Sequence, residues 1–232
     1  MPDSSHLPAV GKTPGSGGAM RMQEMYARVP EEWVRQLAAE QAMGRLVSVR
    51  ADGLPRIGLH NFVYAAGRGR IELHCSRHDE QLPDLLERPR CLFEVDEVMA
   101  VIPSYWVDPT DAGVATTYHR TAIFECSARV IREPGELLTH LEDLMAKHQP
   151  EGGYDVLRPG TRYAPTLRAL VLVALDVVQV RTKFKLGQNR SAALRRRIVE
   201  SLRGRNRPGD SRTADAVERV LALEESEVAE PA

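Results

Sequence analysis

The sequence predicts a mainly β protein, a closed antiparallel barrel of about six strands with helices packed on its outside. Three observations carry that expectation. Around the Gly-rich turn Ala66-Gly67-Arg68-Gly69, apolar and polar residues alternate: Ile57, Leu59 and Val63 with Gly58, His60, Phe62 and Tyr64 before it, and Ile71, Leu73 and Cys75 with Glu72, His74 and Ser76 after it. A period of two is the signature of a strand, and paired glycines that of a turn. Tyr118 to Arg132 alternates in the same way over a longer span. Finally, Ala169 to Val178 is the strongest apolar run, and its β-branched content favours a strand buried on both faces, although its periodicity also fits a buried helix.

The remaining elements follow in chain order. Met1 to Ala19 is rich in Ser, Gly and Pro and reads as a disordered tail, so residues 1–20 are set apart from a domain over 21–205 and a helical extension over 206–232. Pro30, with Glu31 and Glu32 behind it, opens a helix expected to reach Met43 and to end at Gly44. Leu46–Val49 is a strand, and Asp52-Gly53 turns it into the next one. Glu80–Glu87 has helical spacing, and Cys91–Val95 returns as a strand. Met99 to Thr117 reads as a long loop carrying Pro103-Ser104-Tyr105-Trp106, either a lid over a planar ligand or an anchor between subunits. Pro134 begins a helix, and Ala192–Leu202 and Thr213–Leu223 form two more.

Composition narrows the function classes. The chain has 232 residues, 31 Lys plus Arg against 32 Asp plus Glu, and a net charge of -1, so bulk charge gives no reason to expect nucleic acid. The one local exception is the basic cluster Arg190, Arg195-Arg196-Arg197, Arg203, Arg205 and Arg207, which ordinarily marks a solvated helix face. Three cysteines without metal-site spacing suit free thiols in a reducing cytoplasm, and no run of 18 apolar residues suggests a membrane span. No P-loop, CxxC or hydrolytic Ser/His/Asp order is present.

Five short motifs then stand in register: Asn61-Phe62-Val63-Tyr64, His74-Cys75-Ser76, Phe93-Glu94-Val95-Asp96-Glu97, Ile102-Pro103-Ser104-Tyr105-Trp106 and Lys183-Phe184-Lys185-Leu186-Gly187-Gln188-Asn189. Their order resembles the pyridoxamine 5′-phosphate oxidase-like flavoproteins of the split-barrel fold, in the branch of Nim-type nitroimidazole-resistance proteins. The last motif is also similar to FMN-binding regulators of the sporulation-protease PAI-2 type. The similarity covers about residues 25–205.

That resemblance implies a six-stranded split barrel, a homodimer, and FMN in a cleft between subunits, with electrons passed to a small organic substrate. It places Asn61, Phe62 and Val63 along the isoalloxazine, and Ser76 and Arg77 toward the phosphate. Arg120 and Thr121 match an Arg-Ser pair. Lys183, Lys185, Gln188 and Asn189 fall in the segment that reaches the cleft. His74 and Tyr118 are the candidates for proton chemistry. Two departures stand out. Where relatives carry Gly-Lys-Lys this chain has Asp79-Glu80-Gln81, whose carboxylates would repel a phosphate. Where relatives carry an apolar residue it has His60, which raises haem b with His60 as axial ligand as the alternative cofactor. A non-enzymatic flavin-binding regulator using the Arg-rich helices is the other alternative.

Overall fold

The computed structural model describes residues 24–229, and the N-terminal tail expected over residues 1–20 lies outside them. The β expectation holds. Seven strands, β1 (Met43–Val49), β2 (Pro55–Asn61), β3 (Val63–Ala65), β4 (Arg70–Ser76), β5 (Arg90–Ile102), β6 (Thr116–Ile131) and β7 (Leu170–Lys185), form one sheet in the order β2-β1-β5-β6-β7-β4-β3. The count is seven rather than six, and the sheet ends at β2 and β3 instead of closing. The stretch expected to be one central strand breaks at Phe62. Residues before the break pair with β1 (Leu59 opposite Arg45), and those after it pair with β4 (Tyr64 opposite Ile71). Phe62 is wholly buried, with its ring edge-on to Phe93 at 5.0 Å.

Helices flank the sheet: α1 (Glu24–Ala27), α2 (Glu31–Glu40), α3 (Gln81–Glu87), α4 (Pro134–His148), α5 (Ala164–Ala169), α6 (Ala192–Arg205) and α7 (Asp210–Ala229). Two boundaries differ from expectation for physical reasons. Helix α2 stops at Glu40 and Gly44 is already inside β1, because a Cβ on Gly44 would stand 2.4 Å from the Phe93 ring, so glycine permits that close packing rather than ending a helix. Strand β5 runs on to Ile102, so the expected loop shrinks to 103–115. Met99, Ala100 and Ile102 are buried while Val98 and Val101 are exposed, and that irregular sequence hides the period of two.

The contacts divide the chain into two units. The first comprises Pro30–Val95 and Ala122–Arg181, and the second includes α1, Asp96–Thr121 and the chain from Thr182 onward. In the first, Leu46, Phe62, Ile71, Leu73, Phe93, Phe124 and Leu172 have at most 1% of their surface exposed and form the core. The apolar run is spent there: Val171 to Leu175 are buried within β7, so the strand reading is right and the helix alternative falls. In the second, Tyr118, Phe184 and Ile102 pack from the strand ends, while Ile198, Leu202, Val217 and Leu221 close α6 on α7. Cys75, Cys91 and Cys126 are free and buried, and burial pushes the Cys75 and Cys91 thiols up to about 12, so they act as small apolar side chains.

Candidate functional site

In the second unit, the ends of β6 and β7 and the loop before β6 enclose a cavity of about 190 Å³. Its walls include Ile102, Val114, Thr116, Tyr118, Lys185, Asn189 and Arg190. Strand periodicity brings these together: Thr116 and Tyr118 are two apart on β6, while Lys185 stands at the end of β7 just before Gly187 turns the chain at φ +87°. A Cβ on Gly187 would lie 2.3 Å from the Tyr118 hydroxyl, so the turn needs glycine on two counts.

The electrostatics are those of an anion site. Lys183 and Lys185 share a side of β7, with Phe184 buried on the other, and both act on His119 from across the sheet. Burial and the charges of Lys183 and Arg190 hold the Lys185 ammonium below its ordinary value. Its recorded partner is the Thr116 hydroxyl, which it donates to, rather than a carboxylate. Burial drives Tyr118 up to about 12 against the pull of Arg190 and Arg195, so at neutral pH its hydroxyl keeps its proton. Arg195, also buried, gives one nitrogen to Glu224 and leaves Nε and Nη1 without partners.

The other expected residues of this unit serve different neighbours. Arg120 is buried, donates to Glu97 through Nε at 2.8 Å and lies 5.9 Å from the Phe184 ring centre. Thr121 is buried with its hydroxyl 3.2 Å from His119 Nδ1. Gln188 braces the turn, donating to the Phe184 carbonyl at 2.6 Å and accepting from the Leu186 amide at 2.8 Å. Asn189 is exposed at the cavity wall.

The first unit gathers His60, Asn61, Phe62, Val63, His74, Ser76 and Arg77. The anomalous Asp79-Glu80-Gln81 is structural there. Arg56 donates to Asp84 at 2.9 Å and also pairs with Glu80, while Asp79 accepts the Gln81 amide at 2.8 Å. Gln81, buried, donates to the Leu46 carbonyl and the Ser48 hydroxyl, each at 3.2 Å, which turns its own carbonyl oxygen to His60 Nε2 at 2.9 Å. That nitrogen therefore carries the hydrogen, and only Nδ1 of His60 remains to a ligand. Asn61 is exposed and donates to the Ala42 carbonyl at 3.2 Å. The Phe62 carbonyl accepts from Lys147 at 3.0 Å, so that part of the strand backbone is already engaged. Val63 is half-buried opposite Glu72, Ser76 accepts the His78 amide, and Arg77 reaches the Arg168 carbonyl. His74 Nδ1 lies 3.2 Å from His140 Nε2. Sequence reading placed none of His140, Lys147, Arg190 and Arg195 in the site, and named Arg190 and Arg195 only within the basic cluster. Of these, Arg190 carried a signal, standing directly after the last motif.

The basic cluster is spent inside the second unit. Arg195, Arg196, Arg203 and Arg205 pair with Glu224, Glu225, Glu218 and Asp210 of α7, and Arg197 donates to the Trp106 carbonyl at 2.8 Å. Arg205 also lies 4.7 Å from the Trp106 ring centre, tying that aromatic to α6, while Tyr105 stays exposed.

A mainly antiparallel sheet flanked by helices and open at β2 and β3 resembles a split barrel, and a cationic cavity lies at the ends of β6 and β7. Comparison gives the family: the model described as "Putative FMN-binding domain" matches residues 20–179, and the chain belongs to this family. No curated protein matches the chain in sequence. Among solved structures, it is similar to the FAD and heme binding protein from Mycobacterium smegmatis (20% identity, TM-score 0.59, 73% of this chain and 78% of that one). It is also similar to the flavocytochrome Anf3 from Azotobacter vinelandii (17%, TM-score 0.58, 68% and 69%). A third is a putative 5-nitroimidazole antibiotic resistance protein from Bacteroides thetaiotaomicron (12%, TM-score 0.53, 68% and 85%). At these identities the likeness is one of fold. Among the described residues no helix is long and apolar enough to cross a membrane.

Proposed function

We propose that the chain binds FMN, with the phosphate seated in the cavity of the second unit against Lys185 and Arg190, and that it serves as an oxidoreductase on a small organic substrate. The observation that carries this reading is the meeting of two cations with Thr116, Tyr118 and Asn189 in one cavity. The donor set fits a phosphate dianion, which would relieve the mutual repulsion among Lys183, Lys185 and Arg190. Size limits the fit to that end of the ligand. About 190 Å³ is less than the roughly 300–1,000 Å³ that encloses a drug-sized molecule. Lys185 and Arg190, with Lys183 adding its charge from nearby, thus stand in for the Gly-Lys-Lys lysines that Asp79-Glu80-Gln81 replaces.

When bound, a flavin supplies electron and hydride transfer, and the protein supplies binding, orientation and the local field. Tyr118, neutral and at the cavity wall, acts there as a hydrogen-bond donor. FMN and riboflavin titrations test the reading. Lys185→Ala with Arg190→Ala should weaken FMN by at least about tenfold, worth about 1.4 kcal/mol, and leave riboflavin nearly unchanged. Equal loss for both ligands, or none, would show that the phosphate sits elsewhere.

The assembly belongs to the same reading. Ile57 and Leu59 on edge strand β2 are 66% and 57% exposed; on their face the register sets Ile57 beside Val47 and Leu92, and Leu59 beside Arg45, which pairs with Glu94. A second copy covering this face gives the homodimer of a two-subunit flavin site. Two of the similar structures are named for flavin together with haem, which supports recording the Soret region in the same absorbance spectrum as the flavin bands. The engaged Nε2 of His60 weighs against that residue as the iron ligand. The pairing of the arginines with α7 weighs against a regulator that would read an acidic partner through them.

A further inference from the structure

Three polar side chains of the first unit lead from a buried carboxylate to a partly exposed imidazole. Glu72 and His140 are 1% and 0% exposed. The Glu72 carboxylate accepts from Arg70 Nε at 2.6 Å and from Arg68 Nη2 at 3.1 Å. His140 Nδ1 lies 3.7 Å from Glu72 Oε2, beyond hydrogen-bond length, and has no other partner. Its Nε2 lies 3.2 Å from His74 Nδ1, the two rings being tilted at 60°.

Electrostatics decide which nitrogen holds each hydrogen. Inside a protein, a lone pair turned toward a carboxylate is repelled and an N–H is attracted, so the proton of His140 belongs on Nδ1. A neutral imidazole protonated at Nδ1 is an acceptor at Nε2. The contact at 3.2 Å therefore needs a hydrogen from His74, whose Nδ1 donates it. What remains on His74 is Nε2 with its lone pair.

We propose that Glu72 and His140 are positioning residues that hold His74 in the Nδ1–H tautomer, so that His74 offers a ligand an unprotonated Nε2, as a hydrogen-bond acceptor or an iron-binding nitrogen, and not as a proton donor. The surroundings agree. Helix α4 presents His140, and its carboxylates Glu136 and Asp143 are held by Arg70 and Arg68. Strand β2 brings the His60 imidazole into the same neighbourhood. Burial, with His140 and His60, lowers His74 to about 4, so it stays neutral at physiological pH. The ligand must bring an acidic N–H or O–H, or iron already held in its own macrocycle, since among the described residues no cluster of three ligating side chains would hold a bare metal ion. This goes beyond the FMN reading, because the tautomer is a property of the ligand-free chain.

Long-range ¹H–¹⁵N spectra of ¹⁵N-histidine-labelled, ligand-free protein give the first test. His74 should show a protonated Nδ1 and an unprotonated Nε2, and a protonated Nε2 overturns the proposal. In His140→Leu the single tautomer should be lost, and its survival would deny His140 the positioning role. In His140→Gln the carbonyl oxygen can accept the same hydrogen, so the wild-type pattern should be kept, and this variant preserves the test if the leucine one does not fold. Hemin and FMN are then added in separate samples. A Soret band with loss of the Nε2 signal marks iron binding, and a shift of Nε2 toward its hydrogen-bonded value with FMN marks a donor. No change of Nε2 with either probe would remove the ligand role.

Discussion

Gly58 shows how much a single position can hold. A Cβ there would stand 2.0 Å from the Gln81 side-chain oxygen and 2.5 Å from His60 Nε2. Gly58→Ala must therefore displace Gln81, whose nitrogen satisfies the Leu46 carbonyl and the Ser48 hydroxyl. A loss of about 1–3 kcal/mol in urea unfolding is expected, with an unchanged m-value. Two other side chains contribute to acid stability. Burial alone would raise Glu72, but the facing His140 and the guanidiniums of Arg70 and Arg68 outweigh it and leave its carboxyl at about 2. His74 is lowered to about 4. In both cases the unfolded chain binds protons first, so stability falls with pH. His74 contributes to the loss between its unfolded value, about 6.5, and about 4, and Glu72 to the loss between about 4.5 and 2. Urea midpoints against pH should show both legs, and His74→Asn should flatten the upper one. None of this pairing was legible in the sequence, because His74 and His140 lie 66 residues apart and on different elements. His74 itself was legible, since alternation placed it on the polar side of its strand.

At the scale of elements, the C-terminal pair of helices depends on Asp210. This residue is 1% exposed, opens α7, accepts from Arg205 Nε at 2.8 Å and from the Arg207 amide at 2.9 Å, and is held below its ordinary carboxylate value by Arg205. Asp210→Ala strands that guanidinium and should cost about 3 kcal/mol, seen as a lower midpoint in thermal unfolding followed by circular dichroism. The sequence showed the arginines as a run and α7 as a separate helix. It gave no sign that one neutralises the other, since ion pairing across a helical hairpin depends on which faces meet. Strand interiors were more legible than strand ends. Alternation located β4 and β6 directly and a β-branched apolar run located β7, whereas β5 was cut short where Met99 and Ala100 are buried side by side.

For the whole molecule, the proposed two-subunit flavin site and the exposed β2 face lead to one expectation about assembly. Light scattering at micromolar concentration should give a dimer, and Ile57→Lys with Leu59→Lys should shift it toward monomer, because two buried ammonium groups without partners oppose association. The fold class was readable because a sheet with one buried face imposes its period on the sequence. The exposed apolar pair on β2 was not, because alternation alone does not say which side of a strand is covered.

The stretch by which the family is matched stops at residue 179, and the cations of the cavity, Lys185 and Arg190, come after it. Chains can therefore be equally good members of the family over that stretch and still differ in the charge they turn toward a ligand. Membership is decided by the framework, while on the proposed phosphate site preference among phosphorylated, unphosphorylated or bulkier flavins would be set by about a dozen residues downstream. Sorting relatives by that short segment, rather than by overall likeness, is the division that should follow cofactor use.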